Sequence, residues 1–121
     1  MSAALHHKTF NAARVMRAAR EYTALGARVQ LYRPSGEGLV LQDGTRRVYV
    51  MRNAYGPSTA RMLEPNTGAP PPEWTAFAAL DVDLRAGDVV TDRTMAFRIT
   101  SMPTTDQGYL EAEAELTPIP T

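Results

Sequence analysis

No cysteine occurs in the 121 residues, which excludes disulfides and thiolate metal centres. Histidine is almost missing too. His6 and His7 are the only two, and adjacent side chains in coil or strand point apart, so they read as a solvated tail and not as a chelating pair. No apolar run approaches the ~20 residues of a membrane-spanning helix, and Met1 to His7 lacks the apolar stretch of a signal peptide; synthesis in the cytoplasm is the expectation. There is no glycine-rich phosphate loop, because Gly36 and Gly38 flank a hairpin turn and do not open a helix. No serine sits in a nucleophile-elbow context. The sequence therefore offers no nucleophile–base pair, and the expectation is a non-enzymatic protein with no catalytic residue, metal or cofactor. Aromatic residues are only 7% of the chain. With Phe97 expected in the core, Tyr32 and Tyr49 make a thin stacking platform for single-stranded nucleic acid.

The charges that are present are unevenly placed. Net charge is zero, yet residues 1–61 carry ten Lys/Arg against three Asp/Glu, and residues 62–121 carry three against ten. Two readings stand. Either the halves interleave and their charges pair within one chain, or the basic surface of one copy meets the acidic surface of the next. Head-to-tail contacts of the second kind generate rings when the rotation closes.

Hydrophobic periodicity divides the chain, which has one domain's worth of residues (1–121). From Thr9 to Leu25, Ala12, Val15, Met16, Ala19 and Tyr22 recur at helical spacing. Thr9 or Asn11 can cap the start and Gly26 the end. Arg14, Arg17 and Glu21 share the other face, so the helix has a basic outer side. Beyond Gly26 the period falls to two. Residues 27–52 read as the first hairpins: Val29 and Leu31 alternate with polar residues, Pro34 to Gly38 turns, Leu39-Val40-Leu41 is a short strand, and Asp43-Gly44 has the composition of a two-residue type I′ turn leading to a return strand, Arg46 to Met51.

Residues 53–75 are the least regular stretch. They contain Pro57, Pro65 and Pro70-Pro71-Pro72, but also Tyr55, Arg61, Met62, Leu63 and Trp74. A loop this long is uncommon in a compact domain unless functional or disordered, and its apolar groups fit a partner-binding arm. Residues 76–118 read as a β-meander: a strand from Ala76 to Val82, a turn at Leu84 to Asp88, Val89-Val90, a turn at Asp92-Arg93, alternating Met95, Phe97 and Ile99, a turn at Thr105 to Gly108, and a last strand. In that last strand Leu110, Ala112, Ala114 and Leu116 are expected on one face, with Glu111, Glu113 and Glu115 on the other. One helix followed by six or seven short strands, with no helix between strands, predicts a mainly β protein built as a small antiparallel barrel.

The three glutamates admit one chemical test. Alternate side chains on a strand stand roughly 7 Å apart, a separation also used by acid–base carboxylate pairs. Such a pair flanks a cleft with one member desolvated, whereas a uniform outer stripe is a solvated face or an interface for a basic partner. The arginines likewise permit contact with phosphates, although overall neutrality is unlike a dedicated nucleic-acid binder.

The segment Leu80-Asp81-Val82-Asp83-Leu84-Arg85-Ala86-Gly87-Asp88-Val89-Val90, followed by Met95-Ala96-Phe97-Arg98-Ile99-Thr100-Ser101-Met102, resembles the core of tailed-bacteriophage head-closure (stopper, or head–tail connector) proteins. The alternating apolar and acidic residues from Tyr109 to Leu116 resemble their C-terminal strand. The resemblance covers residues 76–118. Two features depart from it: the N-terminal helix is longer than the pattern requires, and Arg93-Thr94 stands where a glycine-containing turn is expected. The resemblance implies a structural virion protein forming a homo-oligomeric ring, six-fold or twelve-fold, between portal or adaptor protein and tail, around the DNA channel and with non-specific DNA contact. It also implies a long loop reaching a neighbour or the lumen. The interface residues expected on this reading are Arg14, Arg17, Tyr55, Arg61, Met62, Leu63, Trp74, Glu111, Glu113 and Glu115. Alternatives are another tail ring component, such as a tail terminator or tail-tube-associated protein, and a small β-barrel nucleic-acid-binding protein.

Overall fold

The computed structural model describes residues 13–53, 73–106 and 108–121. These form a short helix α1 (residues 13–21) and eight antiparallel strands. The strands are β1 (Gln30–Ser35), β2 (Gly38–Leu41), β3 (Val48–Arg52), β4 (Trp74–Ala78), β5 (Val89–Thr91), β6 (Ala96–Ile99), β7 (Thr104–Asp106) and β8 (Tyr109–Thr117). They make one sheet in the order β2-β1-β5-β6-β8-β4-β3, with β7 also paired to β8. The expected mainly β, antiparallel class is what the chain adopts. Four local pairs, β1–β2, β3–β4, β5–β6 and β7–β8, are joined by the long-range ladders β1–β5, β6–β8 and β4–β8. Residues 76–118 are thus not a meander: β4 lies between β3 and β8, while β5 has moved across to β1.

The sheet curls into a barrel-like shape whose ends meet at a few hydrogen bonds, without a continuous ladder. Val29 and Arg46 exchange both backbone bonds, at 2.8 and 2.9 Å. The Ala24 N–H donates to the Val50 carbonyl at 2.8 Å, and the Val50 N–H donates to Thr23 Oγ1 at 3.1 Å. Residues 23–29 therefore cover the free edge of β3. This also explains why α1 stops at residue 21, before the expected Leu25. Thr23 and Ala24 satisfy β3 and leave the helix to do so, and Gly26 spends its N–H on Asp92 instead of capping α1.

The Asp43-Gly44 hairpin is a correction. β2 pairs with β1 and not with β3. Gly44 has φ +77°, but Asp43 is not in the positive-φ region, so the pair does not meet the type I′ requirement. Instead the Gln42 N–H donates to Leu31, and Arg46 bonds Val29. The chain from β2 into β3 follows one edge of β1 and its leading segment, with 43–45 bulging outward. The tight turn is Gly36-Glu37, where only Gly36 (φ +61°) is left-handed, the pattern of a type II′ turn with glycine first.

Alternation buries both faces of β3, β4 and the start of β8. Val48, Val50, Ala76, Ala78, Ala112 and Ala114 face the barrel interior with Leu31, Val90, Phe97 and Ile99. Tyr49, Phe77 and Tyr109 face the opposite way and are covered by Val15, Met16 and Ala19 of α1. The Phe77 and Tyr109 rings sit 5.8 Å apart, tilted by 58°, a geometry that adds about 0.5–1.5 kcal/mol to the burial itself. Tyr22, expected on the apolar stripe, is 71% exposed because the helix has already ended. Leu116, expected inward, is 57% exposed. It lies beyond the last β4 partner of β8, Ala114, so no strand covers it from that side.

Candidate assembly interface

The Gly87-Asp88 pair of the family-like segment has a structural explanation. Gly87 takes φ +92°, a conformation costly for a residue with a Cβ. It turns the chain so that Asp88 enters the barrel fully buried. There the carboxylate accepts from Arg33 Nε at 3.0 Å, Arg33 Nη2 at 2.9 Å and the Arg85 backbone N–H at 2.8 Å. Arg33 also reaches the Asp83 carboxylate and carbonyl, at 3.3 and 3.1 Å, and Arg85 holds Asp83 at 3.0 and 3.1 Å. The bond from Arg85, with help from Arg33 against slight desolvation, holds the Asp83 carboxyl below its ordinary range. The bond to Asp88 raises Arg33 further above its ordinary range. With three donors on the Asp88 carboxylate and further bonds from Arg33 and Arg85 to Asp83, this network ties β1 to the 83–88 turn.

Asp92 does the same for the β5–β6 turn. It accepts from the Thr94 hydroxyl (2.6 Å), the Thr94 N–H (2.9 Å), the Met95 N–H (3.0 Å) and the Gly26 N–H (2.7 Å). Partial burial pushes its carboxyl up, but these four bonds outweigh that and lower it to about 2.

The exposed apolar surface centres on β2. Leu39, Val40 and Leu41 are 41%, 50% and 47% exposed, on the last strand of the sheet. Gln42 and Leu31 form a hydrogen-bonded position with β1, so by antiparallel alternation the backbone groups of Leu39 and Leu41 point away from β1, to the unpaired side. An open cleft of about 370 Å³ beside Leu39 is lined by Tyr32, Arg98 and the chain end from Thr117 to Thr121, whose Ile119 is also exposed.

The sequence-predicted residues fall into three groups. Arg14 and Arg17 are exposed on α1, which lies over the same sheet face that carries Tyr109 and Glu111. One chain thus already places the basic helix beside the start of the acidic strand. Glu111 is half-buried, and Glu113 and Glu115 are exposed. Glu115 is engaged by Arg98 at 3.1 Å. Glu111 and Glu113 line a second open cleft, about 430 Å³, with Thr75, Ser101, Met102 and Thr104. No group of three or more metal-type side chains occurs among the described residues.

Trp74 belongs to β4 and not to an arm: its ring is 4.9 Å from Phe97 and 5.9 Å from the Arg52 guanidinium. Tyr55, Arg61, Met62 and Leu63 lie outside the described residues. The ends of their segment are pinned together, because the Asn53 N–H donates to the Glu73 carbonyl at 2.9 Å. Sequence reasoning missed β2 as a surface. The apolar triplet Leu39-Val40-Leu41 reads only as a short strand, and the sheet order shows it at the rim. It also missed Arg33–Asp88, since 55 residues separate the partners. Comparison with family models, curated proteins and solved structures yields no match.

Proposed function

We propose that this chain is a non-catalytic structural subunit that assembles into a ring at the head–tail junction of a tailed bacteriophage, joining portal or adaptor protein to tail. The observation that carries assembly is the β2 edge. Natural proteins protect edge strands with lysine, proline, bulges or a covering element. Among the described residues, Gly38-Leu39-Val40-Leu41 has no lysine, proline, bulge or covering element and exposes three consecutive aliphatic side chains beside unpaired backbone groups. A strand of that kind is a template for a further strand or an apolar partner surface. The head–tail assignment draws its support from the resemblance of residues 76–118 to head-closure proteins. The virion would be the site of action and the neighbouring ring proteins the partners.

Mass measurement of the purified chain, alone and with a virion fraction, tests this reading. The wild type is expected to form a closed oligomer and to co-purify with virions. The Leu39→Glu, Leu41→Glu double variant is expected to stay folded and monomeric. A wild-type chain that is monomeric at every concentration and absent from virions would sink the proposal.

A further inference from the structure

Among the described residues, Arg93 is the only non-glycine with positive φ, +78°. Glycine is the residue this conformation favours, and persistence of a disfavoured one at an exposed position points to use of the side chain. The turn does not need that side chain. Asp92 organises it through the bonds described above, and Thr91 Oγ1 donates to the Met95 carbonyl at 2.7 Å and accepts from the Arg93 N–H at 3.0 Å. The Arg93 side chain is exposed and makes no hydrogen bond or ion pair among the described residues. A rigid turn therefore presents a guanidinium outward.

Other arginines converge on the same rim of the barrel. The Asp92–Gly26 bond, 2.7 Å, sets the turn against residues 26–29. There the exposed Arg28 reaches only a hydroxyl, Thr45 Oγ1 at 3.3 Å. The Val29–Arg46 bridge adds Arg46, whose guanidinium donates to the Asp43 carbonyl at 2.8 Å. None of the three has a carboxylate partner among the described residues. Among the described residues, the acidic groups beside these arginines are Asp92, whose charge is taken up by the turn, and Asp43. Basic residues of this chain are twelve arginines and one lysine, and arginine is the side chain whose planar fork matches phosphate oxygens two at a time.

We propose that this rim binds the phosphate backbone of nucleic acid without sequence preference, with Arg93 as the leading contact and Arg28 beside it. The inference builds on the ring reading, in which such a rim would turn toward the DNA passage, but the binding belongs to the single chain and is measured separately from assembly. The experiment is fluorescence anisotropy of a labelled mixed-sequence DNA duplex with the full chain from low to physiological salt, with polyglutamate of matched charge as the alternative ligand. Wild type is expected to bind with affinity falling steeply as salt rises. Arg93→Gly is expected to weaken binding several-fold and to reduce the salt slope by about 1, the value for one lost phosphate contact. Its thermal midpoint is expected to stay level or rise, because glycine accepts φ +78° without strain. Arg28→Ser is expected to act in the same direction. The proposal is overturned by no duplex binding at low salt, by unchanged affinity in Arg93→Gly, or by tighter binding to polyglutamate than to DNA. A lowered midpoint in Arg93→Gly would also overturn it, by making the arginine structural. Loss of DNA binding with the oligomer intact, or the converse in the β2-edge variant, tells failure of one proposal from failure of the other.

Discussion

Asp88 and Asp92 are four residues apart and hold the fold in different ways. Asp88 is fully buried and balanced by Arg33. Arg33→Ala leaves the carboxylate in the barrel with only the Arg85 N–H, and breaking such a pair from one side costs about 3 kcal/mol. Arg33→Lys is expected to recover only part of that, since an ammonium cannot reproduce the fork. Denaturant unfolding of both variants checks the order. Asp92 is a pH-dependent clamp. Its carboxyl lies at about 2, below the ordinary 3.8 of an aspartate, so its ionised form stabilises the native state fully above about pH 4, and that contribution fades as pH falls through 2. The full shift discounted for solvent screening leaves about 1 kcal/mol. Asp92→Asn is expected to lose this amount at pH 7 and to converge with wild type as pH falls from 4 to 2, read from urea midpoints across that range.

Turns and edges decide the outcome at the scale of elements. Gly44 and Gly87 both take positive φ, but a Cβ at Gly44 meets nothing within 4 Å, whereas at Gly87 it comes within 3.3 Å of Pro34 Cγ. Gly44→Ala should therefore cost only the backbone term, about 1 kcal/mol, and Gly87→Ala at least twice that. Thermal unfolding of the two variants gives the comparison, and equal losses would show that β1 gives way at Pro34. The Asp43-Gly44 pair reads as a hairpin because local composition is all a turn signal contains. The structure uses the glycine to bulge the chain while β2 and β3 continue along β1 and residues 23–29. Thr104–Asp106 shows the opposite case, a polar triplet that reads as a turn but forms a strand because β8 offers it an edge.

Over the whole molecule, the lopsided charge distribution is partly resolved inside the chain. Arg33 of the basic half pairs with Asp83 and Asp88 of the acidic half, and Arg52 pairs with Glu73 at 2.7 Å. Arg17, Arg20, Arg28 and Arg93 stay exposed. If the β2 edge supports assembly, folding and association are linked by mass action. The thermal midpoint of wild type is then expected to rise with protein concentration, and that of the Leu39→Glu, Leu41→Glu variant to stay constant. A wild-type midpoint independent of concentration would separate folding from assembly.

The mainly β class, the N-terminal amphipathic helix and the alternating last strand were legible in the residues themselves. Period 3.6 against period 2, and the glycine-rich turns at 36 and 87, are local properties that survive in any tertiary setting. Only the folded chain decided which strands lie beside which. Long-range pairing is chosen by how Phe97, Leu31 and the valines fill one interior, and the sequence does not encode that choice in any single window. The buried Arg33–Asp88 pair, the cover over β3 from residues 23–29, the end of α1 at residue 21 and the exposure of Leu39 to Leu41 all follow from that pairing. So does the gathering of Arg28, Arg46 and Arg93 at one rim, because a rim exists only after the sheet has curled.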